Sequence, residues 1–304
     1  MKPPNFLIIG AARSGTTSLY YYLKQHPDIY MAPIKEPAFF AFEGMDKISM
    51  ATGVIDAPRY SKSWDGYREL FEGATEPLRG EASPHYLYFP EAPRRIYSYI
   101  PHVKLITILR NPIERAYSHY LLHRRDDSVD CQTFSEALEL EDASSDEPMD
   151  AFFIHLKKYG LYADQLSRYY DVFDKKQVLV LLYDDLKEEP QAVLKKVCDF
   201  LDVDPSYIPE ETYQYNAGAG VMKYRYIWDT VNFFAKQDFL KNALPERLWE
   251  KAGEKIRDLK KHSIKPIQKP EMDEAIRTEL REYFREDITE LQKLIGRDLS
   301  HWLR

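Results

Sequence analysis

The residues with the clearest chemical potential lie in Gly10-Ala-Ala-Arg-Ser-Gly-Thr-Thr-Ser-Leu19, where glycines, an arginine and a run of hydroxyl side chains follow an apolar stretch. Gly10 and Gly15 have the spacing of a phosphate-binding loop, G-x-x-x-x-G-K-[ST]. In such a loop the backbone N–H groups of Ser14, Gly15, Thr16 and Thr17 would open a helix, and the aligned peptide dipoles would favour an anion. Thr16 takes the slot of the lysine that reaches the β- and γ-phosphates in nucleotide triphosphatases. The cation stands inside the loop instead, at Arg13. This is a site for a phosphate, but not for the γ-phosphate of ATP.

A second cluster is Ile108-Leu-Arg-Asn-Pro-Ile-Glu-Arg-Ala-Tyr-Ser-His-Tyr120. Arg110 falls where an apolar strand ends, the place where ligands gather in parallel sheets, and its fixed guanidinium suits phosphate. Ser118 follows two turns into the next helix. Two candidate bases stand elsewhere: Glu36, just before Pro37 and a pair of phenylalanines, and His85 in Ser83-Pro-His85. An imidazole suits proton abstraction near neutrality. His119 and His123, four apart on a helix, have a spacing that can serve a metal. No H-E-x-x-H pattern or third ligand accompanies them, so they read as structural or surface residues and no metal is expected.

Positioning these groups requires strands and helices in alternation. Phe6–Ile9, Lys104–Leu109 and Val178–Leu182 are near-continuous apolar runs, as in strands covered on both faces. Each leads into a helical pattern. The first runs from about Thr16 to Gln25 and is stopped by Pro27. The second opens at Asn111-Pro112, a cap followed by proline. The third follows Pro190 and carries Leu194, Val197, Cys198 and Leu201 on one face. A last amphipathic helix begins after Glu271 and stops at Gly296. Residues 43–75 read as irregular, Glu139–Asp150 as a solvated acidic loop, and Tyr224, Ile227, Trp228 and Val231 as an apolar helical stripe. The order predicts an α/β fold, a P-loop-containing nucleotide-hydrolase-like parallel sheet flanked by helices, in a single domain over 1–304.

Composition bounds the partners. The chain has 304 residues, 44% apolar and 30% charged, with a net charge of −7. That balance argues against sequence-independent nucleic-acid binding, which needs a broad basic surface. Cys131 and Cys198 suggest no disulfide framework. No stretch approaches the roughly 20 apolar residues of a membrane span, and no secretory leader is recognisable. A cytoplasmic protein is expected.

With these motifs in hand, the chain resembles the sulfotransferases that use 3′-phosphoadenosine 5′-phosphosulfate (PAPS), especially the branch of heparan-sulfate sulfotransferases and bacterial relatives. Gly10–Leu19 is similar to that family's 5′-phosphosulfate loop and Leu109–Tyr120 to its 3′-phosphate segment. Lys35–Phe40, Gly80–Tyr86, Leu182–Leu186 and Gly296–Trp302 match in family order. The resemblance implies that Arg13, Ser14, Gly15, Thr16, Thr17 and Ser18 hold the 5′-phosphosulfate, with Arg13 in place of a family lysine. It implies that Arg110 and Ser118 grip the 3′-phosphate, that Glu36 is the general base, and that His85 is its rival. Where the glycan enzymes tend to carry a lysine, this chain has Ala82.

The expected reaction is in-line sulfuryl transfer from PAPS, leaving 3′,5′-adenosine diphosphate (PAP), to the hydroxyl, or less favourably the amine, of a glycan, lipid or small molecule. Two other readings stay open. A P-loop kinase or nucleotide triphosphatase acting with Mg-ATP would use Asp184 or Asp185 after the third apolar strand as its metal-binding acid. A nucleotide-sensing scaffold would keep the loop without turnover.

Overall fold

A computed structural model describes residues 2–50, 53–126, 131–144, 155–207, 220–222, 264–266 and 271–304 of the chain. Its centre is a five-stranded sheet of β1 (Phe6–Gly10), β2 (Ile29–Met31), β3 (Leu78–Ala82), β4 (Lys104–Leu109) and β5 (Val178–Leu182), in the order β2-β3-β1-β4-β5. Every pairing in it is parallel. The expected α/β parallel sheet is therefore observed. The apolar runs became β1, β4 and β5, because strands covered on both faces need apolar residues at successive positions. Phe6, Leu7, Ile8 and Ile9 are all fully buried.

The two remaining strands carry no such run. In β3, Leu-Arg-Gly-Glu-Ala, Arg79 and Glu81 are buried among apolar neighbours. The guanidinium of Arg79 is satisfied by the carbonyls of Pro3 at 3.1 Å and Glu76 at 3.0 Å, as a buried charge must be. Gly80 is required by close packing: a Cβ there would stand 2.2 Å from the Phe6 ring.

Helix α1 (Thr16–Leu23) ends short of the expected Gln25. Helix α2 (Pro112–Asp126) starts as its sequence predicts. Asn111 Oδ1 accepts from the N–H groups of Ile113 at 2.9 Å and Glu114 at 3.4 Å. Helices α3 (Tyr162–Tyr170), α4 (Tyr183–Glu188), α5 (Pro190–Leu201) and α6 (Glu274–Ile295) complete the set used below. On one face of the sheet, Phe6, Ile8, Ile106 and Ile108 pack with Leu19 and Leu23 of α1 and with Val193, Val197 and Leu201 of α5. Cys198 is buried on α5. Helix α6 stops at Gly296 in the left-handed region (φ 65°), and its Asp287 accepts from the first N–H groups of α3, those of Tyr162 and Ala163, each at 2.9 Å.

Some weakly patterned stretches have more structure than their sequence suggests. Within 43–75 lie an antiparallel hairpin, Lys47–Met50 with Gly53–Asp56, and short helices Arg59–Lys62 and Trp64–Glu69. In the acidic stretch, Phe134–Ala143 is helical. Glu141 is not solvated there: it is buried and accepts from the N–H groups of Lys157 at 2.7 Å and Lys158 at 3.0 Å. The apolar stripe at 224–231 lies outside the described residues. By contacts, Met1–Asn216 with Met272–Arg304 forms one compact unit and Ala217–Glu271 another. In the second, strands Gly220–Met222 and Ile264–Pro266 pair antiparallel.

Candidate active site

The turn after β1 delivers its groups through unusual backbone angles. Gly15, the N-cap of α1, has φ 95°, and a Cβ there would stand 3.1 Å from both Tyr183 and Leu186 of α4. Arg13 is also left-handed, at φ 68°. Ser14, Thr16 and Ser18 are buried, while Thr17 is half-buried. No side chain caps α1, and the first N–H groups of any helix lack an intrahelical acceptor. A helix start of this kind presents donors and a positive dipole end to an anion.

Arg110 follows the last residue of the neighbouring β4. Its Nη1 donates to the backbone carbonyl of Arg13 at 3.1 Å, and its guanidinium lies 4.8 Å over the Tyr183 ring. Tyr162 Oη donates to the Arg110 carbonyl at 2.9 Å. Arg13 in turn donates from Nη2 to Ser118 Oγ at 3.3 Å. The loop residues and the Arg110–Ser118 segment thus form one site at the carboxyl ends of adjacent parallel strands, where such folds bind ligands. The donors are guanidinium, N–H and O–H groups, a set that suits an oxyanion such as phosphate.

The two candidate bases meet each other. Glu36 and Ala38 are both left-handed, at φ 62° and 54°, a conformation that costs a non-glycine residue of order 1–3 kcal/mol. The turn is tied to β3 and its extension, since Glu36 N–H donates to the Ala82 carbonyl at 3.1 Å and Ala38 N–H to Ser83 Oγ at 3.0 Å. Glu36 Oε2 lies 3.6 Å from His85 Nε2, and its Oε1 is paired with the Lys35 ammonium. Enclosure by protein atoms works to raise the Glu36 carboxyl. The hydrogen bond from His85 and the charge of Lys35 outweigh it and bring the group to about 2. His85 Nδ1 lies 3.2 Å from the hydroxyl of Tyr159, which stacks on Tyr88 with centroids 3.9 Å apart.

Glu36 and His85 are therefore neighbours, and Arg13, Arg110 and Ser118 form a second group. Lys35, Tyr159 and Tyr183 are contributors that the sequence reading did not assign. Lys35 sits beside Glu36 in the Lys35–Phe40 motif, and Tyr183 within the Leu182–Leu186 motif. Tyr159 had no signal, because a long connection brings it in.

Asp184 and Asp185 both have partners in the C-terminal segment. Asp184 Oδ2 accepts from Trp302 Nε1 at 2.9 Å, and both Asp185 oxygens accept from Arg297 at 3.0 Å. They tie the C-terminal segment to α4. His119 and His123 are buried, not surface residues, with rings 4.5 Å apart. His119 Nδ1 is 3.3 Å from the buried Arg115. Burial, then the neighbouring His123 and Arg115, hold His119 well below the usual imidazole range. Among the described residues no group of three or more His, Cys, Asp or Glu side chains could hold a metal.

Comparison with known proteins fits this geometry. The model of the sulfotransferase domain family matches residues 3–293. The bifunctional heparan sulfate N-deacetylase/N-sulfotransferase 1 of Mus musculus is 33% identical over 310 residues, covering 99% of this chain and 31% of that protein. The chain thus spans about a third of the length of that relative. A membrane-associated sulfotransferase of Dictyostelium discoideum, kil1, is 26% identical over 66% of this chain and 56% of its own. Among solved structures, a sulfotransferase from Alicyclobacillus acidocaldarius is 31% identical, covers both chains completely and superposes with a TM-score of 0.72. The chain belongs to the sulfotransferase domain family.

Proposed function

We propose that the whole chain acts as one PAPS-dependent sulfotransferase domain, transferring the sulfuryl group to an acceptor hydroxyl with Glu36 as general base. The observation that carries this reading is the meeting of Arg110, Arg13 and Ser118 at one place, beside the opening turn of α1. Arg110 and Ser118 would hold the 3′-phosphate. The N–H groups of Ser14 to Thr17, with the hydroxyls of Thr16, Thr17 and Ser18, would hold the 5′-phosphosulfate. The nucleotide supplies an activated sulfuryl group and a stabilised leaving group. Arg13, which cannot donate its proton, stabilises negative charge at that end of the site.

Glu36 would accept the acceptor's proton. A carboxylate held near 2 by His85 and Lys35 is ionised at every working pH but weakly basic. An acceptor that displaces either partner removes what holds it low, so its basicity rises as the acceptor docks. His85, bracketed by Tyr159 and Glu36, orients the carboxylate.

The test is turnover of radiolabelled PAPS with a panel holding de-N-sulfated heparin as amine acceptor and sugars and phenols as hydroxyl acceptors. Glu36→Gln is expected to lose about a hundredfold in rate with PAP binding intact. Tight Mg²⁺-dependent ATP binding with no preference for a 3′-phosphate would overturn the reading in favour of the kinase alternative. The engagement of Asp184 and Asp185 by the C-terminal segment speaks against that alternative. Amine sulfation is a second reading, favoured by the relatives named as N-sulfotransferases; comparing de-N-sulfated heparin with its N-acetylated form, which keeps the hydroxyls but has no free amine, separates it. No helix among the described residues is long and apolar enough to cross a membrane. We place the protein in the cytoplasm, and cell fractionation tests this against the membrane-associated relative.

A further inference from the structure

Behind the turn that carries Glu36 lies a buried carboxylate with no part in the chemistry above. Glu81, fully buried on β3, accepts from Tyr67 Oη at 3.1 Å and from Ser83 Oγ at 2.8 Å. Ser83, also fully buried, spends its proton on Glu81 and accepts the N–H of Ala38 at 3.0 Å. The relay therefore runs from Glu81 through Ser83 to the residue two after Glu36. A second tie, from the backbone itself, joins Glu36 N–H to the carbonyl of Ala82 at the end of β3.

We propose that Glu81 is a positioning residue for sulfuryl transfer, which through Ser83 holds the left-handed Glu36–Ala38 turn in the conformation that presents the Glu36 carboxylate. Two observations carry this. Glu36 and Ala38 both occupy backbone angles that L-residues rarely adopt, and such angles persist only where the surroundings over-determine them. A buried carboxylate among apolar and aromatic side chains is also costly unless its hydrogen bonds are used. The groups facing it are Tyr67 from helix Trp64–Glu69, Ser83 and Tyr86 beyond the end of β3, and the charge of Glu36 itself. Burial, against hydrogen bonds from Ser83, Tyr86 and Tyr67, raises its carboxyl to about 7. The relay's geometry is thus open to change near neutral pH, because protonating the oxygen that faces Ser83 would take away the acceptor that directs the serine proton.

The inference rests on Glu36 as base, and the experiment separates the two. Glu81→Gln, Ser83→Ala, Glu36→Gln and the double variant Glu81→Gln/Glu36→Gln are compared in the full chain. The readouts are release of PAP from PAPS with the mixed acceptor panel, and PAP affinity by calorimetry. Glu81→Gln and Ser83→Ala are each expected to lower kcat about tenfold with PAP affinity within twofold of wild type. On the Glu36→Gln background Glu81→Gln should cost no further rate, since it acts through the group already removed. If Glu36→Gln retains full turnover, the assignment of the base fails. If Glu36→Gln loses turnover while Ser83→Ala and Glu81→Gln keep it, Glu81 is not a positioning residue. An equal further loss on the Glu36→Gln background, or a parallel loss of PAP affinity, would show a merely structural role and overturn the proposal. Should Glu81→Gln fail to fold, Ser83→Ala alone and on the Glu36→Gln background decides by the same criteria.

Discussion

Arg110 and Arg13 stand 97 positions apart in the chain, yet the guanidinium of the first donates to the carbonyl of the second at 3.1 Å. The Arg110 side chain is thus anchored on the backbone of a second arginine, and its guanidinium lies over the Tyr183 ring. Two cationic side chains anchored around one turn favour a bound polyanion.

Arg110→Ala is accordingly expected to weaken PAP binding about 30- to 100-fold, the loss of about 2–3 kcal/mol typical of a charge-assisted contact. Adenosine 5′-monophosphate, which lacks the 3′-phosphate, should bind both forms alike. Calorimetry with the two nucleotides measures this, and equal losses for both would remove Arg110 from the 3′-phosphate.

Gly15→Ala tests the opening turn. The backbone there is left-handed and the added methyl would press on Tyr183 and Leu186. Strain of about 1 kcal/mol or more is expected in unfolding by denaturant. Because the turn's N–H groups would shift with it, PAP affinity should fall at least tenfold. Unchanged affinity would mean that these N–H groups do not hold the nucleotide.

How much of this could be read in advance differs from residue to residue. β1, β4 and β5 were legible because continuous apolar runs have few alternatives when both faces are covered. β3 was not, since Arg79, Gly80 and Glu81 interrupt any apolar pattern, and part of what fits them there is distant: the Pro3 carbonyl, the Phe6 ring packed on Gly80, and Tyr67. The nearness of Arg13 to Arg110 followed from topology, as the ends of adjacent parallel strands must be close. Tyr159 beside His85, 74 residues away, depends on how a connection outside the sheet folds back, and no local pattern encodes that. The carboxylates of Asp184 and Asp185 in α4 show the reverse: their place after a strand suits a metal site, and the partners that engage them, Trp302 and Arg297, come from the far end of the chain.

Tyr159→Phe probes the orientation of His85. Removing the hydroxyl leaves the ring stack with Tyr88 but takes away a contact of His85 Nδ1. With the tautomer no longer held, kcat should fall about five- to tenfold while PAP affinity holds. If Tyr159 acts through His85, the double variant should lose no more rate than His85→Ala alone, and full additivity would separate the two residues.

Asp287 makes the stability of the fold depend on pH. Burial, set against hydrogen bonds from the N–H groups of Ala163 and Tyr162, raises its carboxyl from an ordinary 3.8 to about 7. Between those values the folded chain keeps a proton that the unfolded chain has released. This contribution is therefore fully present below about pH 4 and is lost as pH rises through about 7. Glu81, also raised to about 7, acts in the same direction. Glu36, lowered to about 2, acts oppositely, contributing above its ordinary value and losing that contribution as pH falls toward 2. Urea unfolding at pH 5 and pH 8 should show wild type less stable at the higher pH. In Asp287→Asn the difference between the two pH values should shrink, because the amide cannot release a proton, even though the variant loses one acceptor for the start of α3. A difference between pH 5 and pH 8 as large as that of wild type would mean that Asp287 is already ionised in the folded protein at pH 5.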